Sequence, residues 1–572
     1  MRGKLFFISI IIAMVPLMVG ATDAFGETYV SATAIIEQYH RGIGTLNADQ
    51  KHLAETALDA RPDSIGFFES TRFPIRSHYP SADYMEKAET ILAIAETSWE
   101  EQVLGMGFKA PPPDCGNGGS DHLDIYLQDL PQGVGGYAAF SCYIDETPEA
   151  DAASFVALAL TVPDEFIRGA VTHEFNHVLQ NGIDYWENIT FKENTATWVM
   201  DRVFDDENYY FSYLRSYQRN PDWPIHKFST SNTYQYGECM LLHFLAEYYG
   251  GGAPAIIVDI WNACVQDQMY NEPDYLEAMD RVIPAVSGGR DSLKDALAEY
   301  SVWRTITGAR DDGAHFHDGG LWPDGAEVAM DTVIDLAQGL PAPVTPQNPP
   351  YDYGFSYIKL VNPGALPGAA AVEFQGDPAV DWSVRLIQCR DGYATHIVRS
   401  LDLNSSRGIL LLNPGMLTRS DELILAVVNL SEPSFDPDQG IDGTRRSYTM
   451  KFMAAQPDTS LQIWTDQPMT CPGKMFGFNT EMEHYDTVAT MDFWLFLEIA
   501  GAFFSIYTDG SGVPAPRQVN LIPGAVTTDQ VFSFEMPGLD VSLALIWHAA
   551  LLQGTAVIDY QVMFSNLVTS CR

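Results

Sequence analysis

The sequence predicts a multidomain α+β protein: a mostly helical front part with a small sheet, followed by two β-sandwich-like domains. Three observations predict it. Apolar residues recur at helical spacing in the front part, as in Tyr84, Ala88, Ile91, Leu92, Ala95, Trp99 and Val103. Leu340 to Pro350 then holds five prolines in eleven residues and reads as a linker. Beyond it the helical period fades. Short β-rich runs take over, including Ser356 to Val361, Trp382 to Ile387 and Leu423 to Val428, each bounded by Gly, Pro or Asn. A second break near Gln456-Pro457-Asp458 divides residues 351–456 from 457–572, whose runs include Phe493 to Leu497 and Leu543 to Trp547.

Within residues 27–339 the elements follow from the same rules. Residues 27–110 read as mostly helical, ending at Gly105, Gly107 and Pro111-Pro112-Pro113. Leu123 to Leu127, Gly136 to Phe140 and Phe155 to Leu160 read as strands. A helix starts near Pro163-Asp164-Glu165, where proline and acids suit a first turn, and stops at Asn181-Gly182. A second helix carries Glu193 to Phe204. Others are expected at about 234–249, 253–266 and 291–306.

Charge excludes some partners. The 572 residues carry 75 acidic and 32 basic side chains, a net charge of −43. Such a polyanion is repelled by phosphate backbones and by anionic lipid surfaces, so neither nucleic acid nor a membrane surface suits it. Arg2 and Lys4 precede an apolar run from Leu5 to Val19, and small residues follow at Gly20, Ala21, Ala24 and Gly26. This is the pattern of a secretory signal peptide over residues 1–26. The run is too short, and too broken by Pro16, for a membrane span. The expected location is secreted, periplasmic or at the cell surface. Export makes disulfides expected among the seven cysteines, and proximity pairs Cys115 with Cys142 and Cys239 with Cys264. Asp436, Asp438 and Asp442 offer oxygens for a structural Ca²⁺, without the full EF-hand order.

The chemistry lies in His173-Glu174-Phe175-Asn176-His177. Two histidines four apart on a helix share one face, one turn apart, where they can hold one metal ion. Glu174 stands beside them. Zinc lowers the pKa of a neighbouring water toward about 7, and Glu174 can take its proton as a general base. A catalytic zinc takes three protein ligands and keeps one open position. The long metzincin form would need Gly at 180 and His at 183, and the sequence has Gln180 and Ile183. A glutamate from the next helix is the other solution. Glu193 opens a stretch in which Ala196 and Trp198 can pack behind a ligand, and Glu187 in the connecting turn is the alternative.

His173 to Gln180, followed by Glu193-Asn-Thr-Ala196-Thr-Trp198, resembles the gluzincin group of zinc metallopeptidases. It is most similar to a family of predicted secreted bacterial metallopeptidases with C-terminal β-domains. The similarity runs through Trp99 to Asp114, Asp124 to Tyr126, Gly136-Tyr137, Tyr236 to Gly250 and Trp303 to Arg310. It is looser after residue 340, where Cys471 to Gly501 and Trp547 to Ala550 resemble a β-module of various secreted bacterial proteins. The resemblance implies zinc on His173, His177 and Glu193, Glu174 as base, and a protein or peptide substrate. Two positions depart from the pattern. Thermolysin-like relatives have an aspartate where this chain has Thr197, with Asp201 as a substitute to orient His173. The related family often has tryptophan at the position of Thr190. Tyr236 is the first choice of oxyanion donor, with Tyr234, His226 and His243 as alternatives. His315-Phe316-His317 reads as a solvated turn. The competing reading is a non-catalytic extracellular binding protein with a vestigial peptidase domain; an aminopeptidase is a third.

Overall fold

The chain is described by a computed structural model over residues 30–144, 151–265, 274–433, 442–467, 469–509, 511–536 and 543–567. A two-residue strand, β1 (Val30–Ser31), leads directly into helix α1 (Thr33–Arg41). Helix α2 (Ala48–Asp59) follows, started by a reciprocal capping box between Asn47 and Gln50. The short strands β2 (Gly66–Glu69) and β3 (Ile75–Tyr79) pair antiparallel. Helix α3 (Met85–Trp99) runs into a π-helical turn over Glu100–Met106. Strands β4 (Leu123–Gln128), β5 (Val134–Tyr143) and β6 (Ala152–Ala159) complete a six-stranded sheet ordered β1-β5-β6-β4-β3-β2.

This sheet corrects the expectation of a mostly helical front part with a small sheet. Strands contribute more of the described residues than α-helices do, spread over five sheets. Residues 27–110, read as mostly helical, contain β1, β2 and β3. Only α3 carries a helical period long enough to read. Strands of two to five residues show too few alternations to compete with it. In the sheet, β5 runs antiparallel to β6, and β1 covers its other side in parallel register. Without β1, β5 would be an open edge.

Helix α4 (Asp164–Asn181) packs on β5, β6 and α3. Asp164 and Glu165 fill its first turn, where carboxylates favour the positive end of the helix dipole. Gly182 ends it, but not as a left-handed cap: its φ is −78°, and a Cβ there would meet Pro112 Cδ at 2.6 Å. Helix α5 (Ile189–Val203) is capped by the Asn188 side chain, which accepts from the amides of Thr190 and Phe191. Then come α6 (Phe211–Gln218), α7 (Tyr234–Gly237), α8 (Cys239–Gly250), α9 (Ala255–Cys264), α10 (Tyr275–Val286) and α11 (Leu293–Trp303). The single helix expected at 234–249 is thus two helices, and α6 and α10 were not foreseen.

Further along, a five-stranded sheet (332–335, 355–361, 382–390, 395–400, 422–429) and a three-stranded sheet (370–376, 407–412, 448–454) enclose one core containing Ile358, Phe374, Leu386, Leu425 and Met450. The strand Thr332–Asp335 joins this sheet ahead of the proline-rich segment, and Val344 within that segment bridges to Met450. The last two sheets enclose Phe476, Phe478, Phe493 and Trp547.

Cys115 and Cys142 form a disulfide. Cys239 and Cys264 do not pair: both are free and buried, separately, in the helical core. The segment read as a signal peptide, residues 1–26, lies outside the described residues, as do Asp436 and Asp438. Asp442 is engaged by Lys227 Nζ at 2.6 Å to both carboxylate oxygens. Among the described residues no helix is long and apolar enough to cross a membrane.

His315 is not in a solvated turn. Its side chain is only 7% exposed, and its Nδ1 lies 2.8 Å from Asp312 Oδ1, while His396 Nδ1 of the following sheet lies 3.0 Å from Asp312 Oδ2. Burial pushes the Asp312 carboxyl up, but the two imidazoles outweigh it and hold the group well below the usual carboxylate range. Burial pushes His315 down, and Asp312 outweighs that to raise it. Asp312 therefore contributes stability above its unfolded pKa of about 4 that is lost as pH falls, and His315 contributes stability below about 6.5 that is lost as pH rises through its raised value. Asp312→Ala should cost about 3–5 kcal/mol near pH 6 in urea unfolding, with the difference shrinking on acidification. A penalty independent of pH would contradict this assignment.

Candidate functional site

Helix α4 is buried from Gly169 to Asn181, although it carries His173, Glu174, Asn176, His177, Gln180 and Asn181. Buried polar groups need partners, so each of these side chains must be placed by a specific contact. The His177 Nε2 atom lies 3.1 Å from His173 Nε2. Glu193, one turn into α5, brings its Oε2 to 3.1 Å from His173 Nε2 and 3.6 Å from His177 Nε2. These three ligand atoms lie within 4.8 Å of one another and form a candidate metal-binding group. Glu193 Oε1 is buried with no hydrogen-bond partner among the described residues. A carboxylate oxygen left so is expected where a cation supplies the missing contact.

The proton on His177 is located by an amide chain. Gln180 Nε2 donates to Asn176 Oδ1 at 2.6 Å and to the Lys192 carbonyl at 2.9 Å. Its oxygen therefore faces His177 Nδ1, at 2.8 Å, and accepts from it. With Nδ1 protonated, a neutral His177 presents the Nε2 lone pair to the centre. The chain continues outward. Asn176 Nδ2 donates to Gln102 Oε1 at 3.0 Å, and Gln102 Nε2 donates to the Thr172 carbonyl at 3.2 Å. Gln102 belongs to the π-helical turn after α3, and it is fully buried.

Charge follows the same geometry. Burial opposes ionisation of Glu193, but His177 and His173 outweigh it and hold the carboxyl at about 2. Burial also opposes charge on His177, and Glu193 outweighs it, raising the imidazole to about 9. Glu174 goes the other way. Burial holds its carboxyl above the ordinary range against the pull of His177 and His173, and Glu193 adds to the rise.

Glu174, His173, Tyr213 and Tyr236 line a cleft with Val30, Ser31 and Gly136. A Cβ on Gly136 would stand 3.0 Å from Glu174 Cγ and 2.9 Å from the Ala157 carbonyl, so only glycine leaves room there. Tyr236 packs tilted against His173, ring centroids 5.9 Å apart, and stacks on Tyr213 at 5.0 Å. Burial lifts its phenol well above the usual value, so it keeps its proton and can donate.

The other candidates stand elsewhere. Tyr234 donates its hydroxyl to the Trp223 carbonyl at 3.2 Å. His226 accepts at its carbonyl from Thr190 Oγ1, and His243 lies 3.9 Å from Asp201 Oδ2 and stacks on Tyr210. Asp201 thus stands at His243 rather than orienting His173. It belongs to a second candidate metal-binding group with Asp205 and Asp318. Thr197 donates to the Glu193 carbonyl at 2.9 Å, inside its own helix. Glu187, the alternative ligand, accepts from the Asn188 and Tyr275 amides and is not part of the three-residue group.

Sequence reasoning missed the residues that complete the site from a distance. Gln102 and Asn176 look like ordinary polar positions. Ser31 and Thr33 precede the motif by more than 130 residues, yet Thr33 Oγ1 donates to Glu174 Oε2 at 3.0 Å. Only the buried-polar pattern of α4, unreadable before its burial is known, asks for such partners.

No family model matches the chain, and no curated protein does. Solved structures give faint likeness. A protein assigned as a beta-galactosidase from Bacteroides fragilis is 12% identical over 37% of this chain and 32% of its own, with a TM-score of 0.16. The sporulation control protein Spo0M from Bacillus subtilis is 10% identical over 19% of this chain and 49% of its own, with a TM-score of 0.15. A glycosyl hydrolase family 2 member from Bacteroides cellulosilyticus is 10% identical over 37% of this chain and 27% of its own, with a TM-score of 0.15. The chain thus spans about a quarter to a half of the length of these proteins.

Gln180 provides a direct test of the site. Gln180→Leu removes the acceptor of His177 Nδ1 and should weaken metal binding about 10- to 100-fold in a chelator competition. Unchanged affinity would show that the amide chain does not orient the ligand.

Proposed function

We propose that this chain is an exported zinc-dependent peptidase, with His173, His177 and Glu193 as ligands, Glu174 as general base and Tyr236 as oxyanion donor. One observation carries the reading. Ligand atoms about 2.0–2.1 Å from a tetrahedral zinc stand about 3.3 Å apart, and the three pairs here are 3.1, 3.1 and 3.6 Å apart. Two nitrogens and a carboxylate oxygen at these spacings suit zinc, which would keep one position for a fourth ligand. Calcium fits poorly, since it takes six to eight oxygen ligands. The disulfide Cys115–Cys142 supports an oxidising, extracytoplasmic location.

Bound zinc would supply Lewis acidity toward a carbonyl oxygen and lower the pKa of water toward about 7. The chain's own residues do the rest. Glu174, its carboxyl raised by burial, takes the proton of the attacking water and returns it to the departing amine. Tyr236, held protonated beside His173, donates to the carbonyl oxygen as negative charge develops there. Gly136 keeps the wall of the cleft thin where Glu174 must approach.

Purified protein should hold one zinc per chain and cleave members of a mixed peptide library. Glu174→Gln should keep the zinc and lose about a hundred- to ten-thousand-fold in kcat. Glu193→Ala should lose most of the zinc, and Glu187→Ala should retain it. Equal cleavage by wild type and Glu174→Gln would refute the role of the base. Zinc loss in Glu187→Ala but not in Glu193→Ala would move the third ligand.

A further inference from the structure

Val30 to Thr33 occupy the groups that the proposed reaction would use. The hydroxyl of Tyr236 faces the Ser31 carbonyl, 3.4 Å away, so the oxyanion donor already holds a peptide carbonyl of its own chain. Thr33 Oγ1 accepts from the Ala138 amide at 2.8 Å and from Ser31 Oγ at 2.9 Å, which leaves its one proton for Glu174 Oε2. The backbone of the segment covers β5. Val30 N donates to the Gly133 carbonyl at 3.1 Å, and Ala32 N donates to the Gly136 carbonyl at 2.9 Å. A peptide strand added to this edge would bond through the same main-chain groups. The room that remains beside Val30 and Ser31 is about 10 Å³, space for roughly one water and far below the roughly 300–1,000 Å³ of pockets that enclose a small ligand.

We propose that Val30–Ala32 is a latency strap: it lies in the substrate strand's place on β5, and a peptide substrate enters only when the strap lifts. The proposal rests on the peptidase reading and adds its regulation. The structure divides what moves from what stays. Helix α1 is anchored through Glu37, which takes Lys192 Nζ at 2.8 and 2.9 Å and Arg41 Nη2 at 2.9 Å, all three side chains buried. Strand β1 has only two residues, held to β5 by main-chain pairing in parallel register. The hinge therefore falls at Ala32–Thr33, where α1 begins. Lifting β1 breaks those bonds, frees the Tyr236 hydroxyl and leaves the Glu37–Lys192 anchor intact.

The test separates a moving strap from a fixed wall. Val30 and Val134 face each other in register, so Val30→Cys/Val134→Cys can tie β1 to β5. Val30→Pro removes the amide that bonds Gly133. Both are measured as zinc-loaded protein, by affinity for a peptidyl hydroxamate and by peptide hydrolysis, with wild type put through the same oxidation and reduction. If the open form is the minor one, the oxidised tie should weaken hydroxamate binding about tenfold or more against its reduced form. Val30→Pro should strengthen it severalfold. Equal affinity in the tied and reduced forms would overturn the strap, whatever Val30→Pro does. Shifts in hydroxamate affinity with no peptide cleaved in any form would keep the strap and refute the peptidase reading.

Discussion

Three potential ligand atoms aimed at one point are the constraint on which the centre depends. His173 Nε2, His177 Nε2 and Glu193 Oε2 converge inside a buried layer. In a low-dielectric interior such a convergence is costly unless a cation or a shared proton fills it. Much of the surrounding structure serves to hold it. The sheet gives α4 a flat support, α5 crosses it to deliver Glu193, and the Gln102–Asn176–Gln180 chain fixes the proton of His177 on its outer nitrogen.

Gln180 shows how a sequence feature can change meaning. In the sequence it served only to exclude a longer motif. In the structure it is the contact that orients a ligand. The aspartate expected to do similar work, Asp201, belongs instead to the His243 surroundings. Both results follow from the direction of side chains along a helix. Gln180 lies three residues after His177, on its own helix and near the same face, whereas Asp201 lies two turns beyond Glu193 on α5.

The site was more legible than the fold. His173, Glu174 and His177 are readable because a four-residue spacing on a helix fixes a geometry without help from tertiary structure. Glu193 needed only the next helix. The front sheet was not legible, because β1, β2 and β3 are too short to display a period, and β1 pairs with a strand about a hundred residues away. The role of His315 was missed for the same reason: the Asp312 carboxylate it pairs with is shared with His396 of a later sheet, and a His-x-His triplet carries no sign of it. Cys239 and Cys264 were paired by sequence proximity alone, which says nothing about direction across a helical core.

The central claim is that this convergence is a zinc site. Its most direct measurement is anomalous diffraction on either side of the zinc absorption edge, from crystals of protein loaded with one equivalent of zinc. The account predicts one strong peak about 2 Å from His173 Nε2, His177 Nε2 and a Glu193 oxygen. A peak at Asp201, Asp205 and Asp318 with none between the histidines would contradict it.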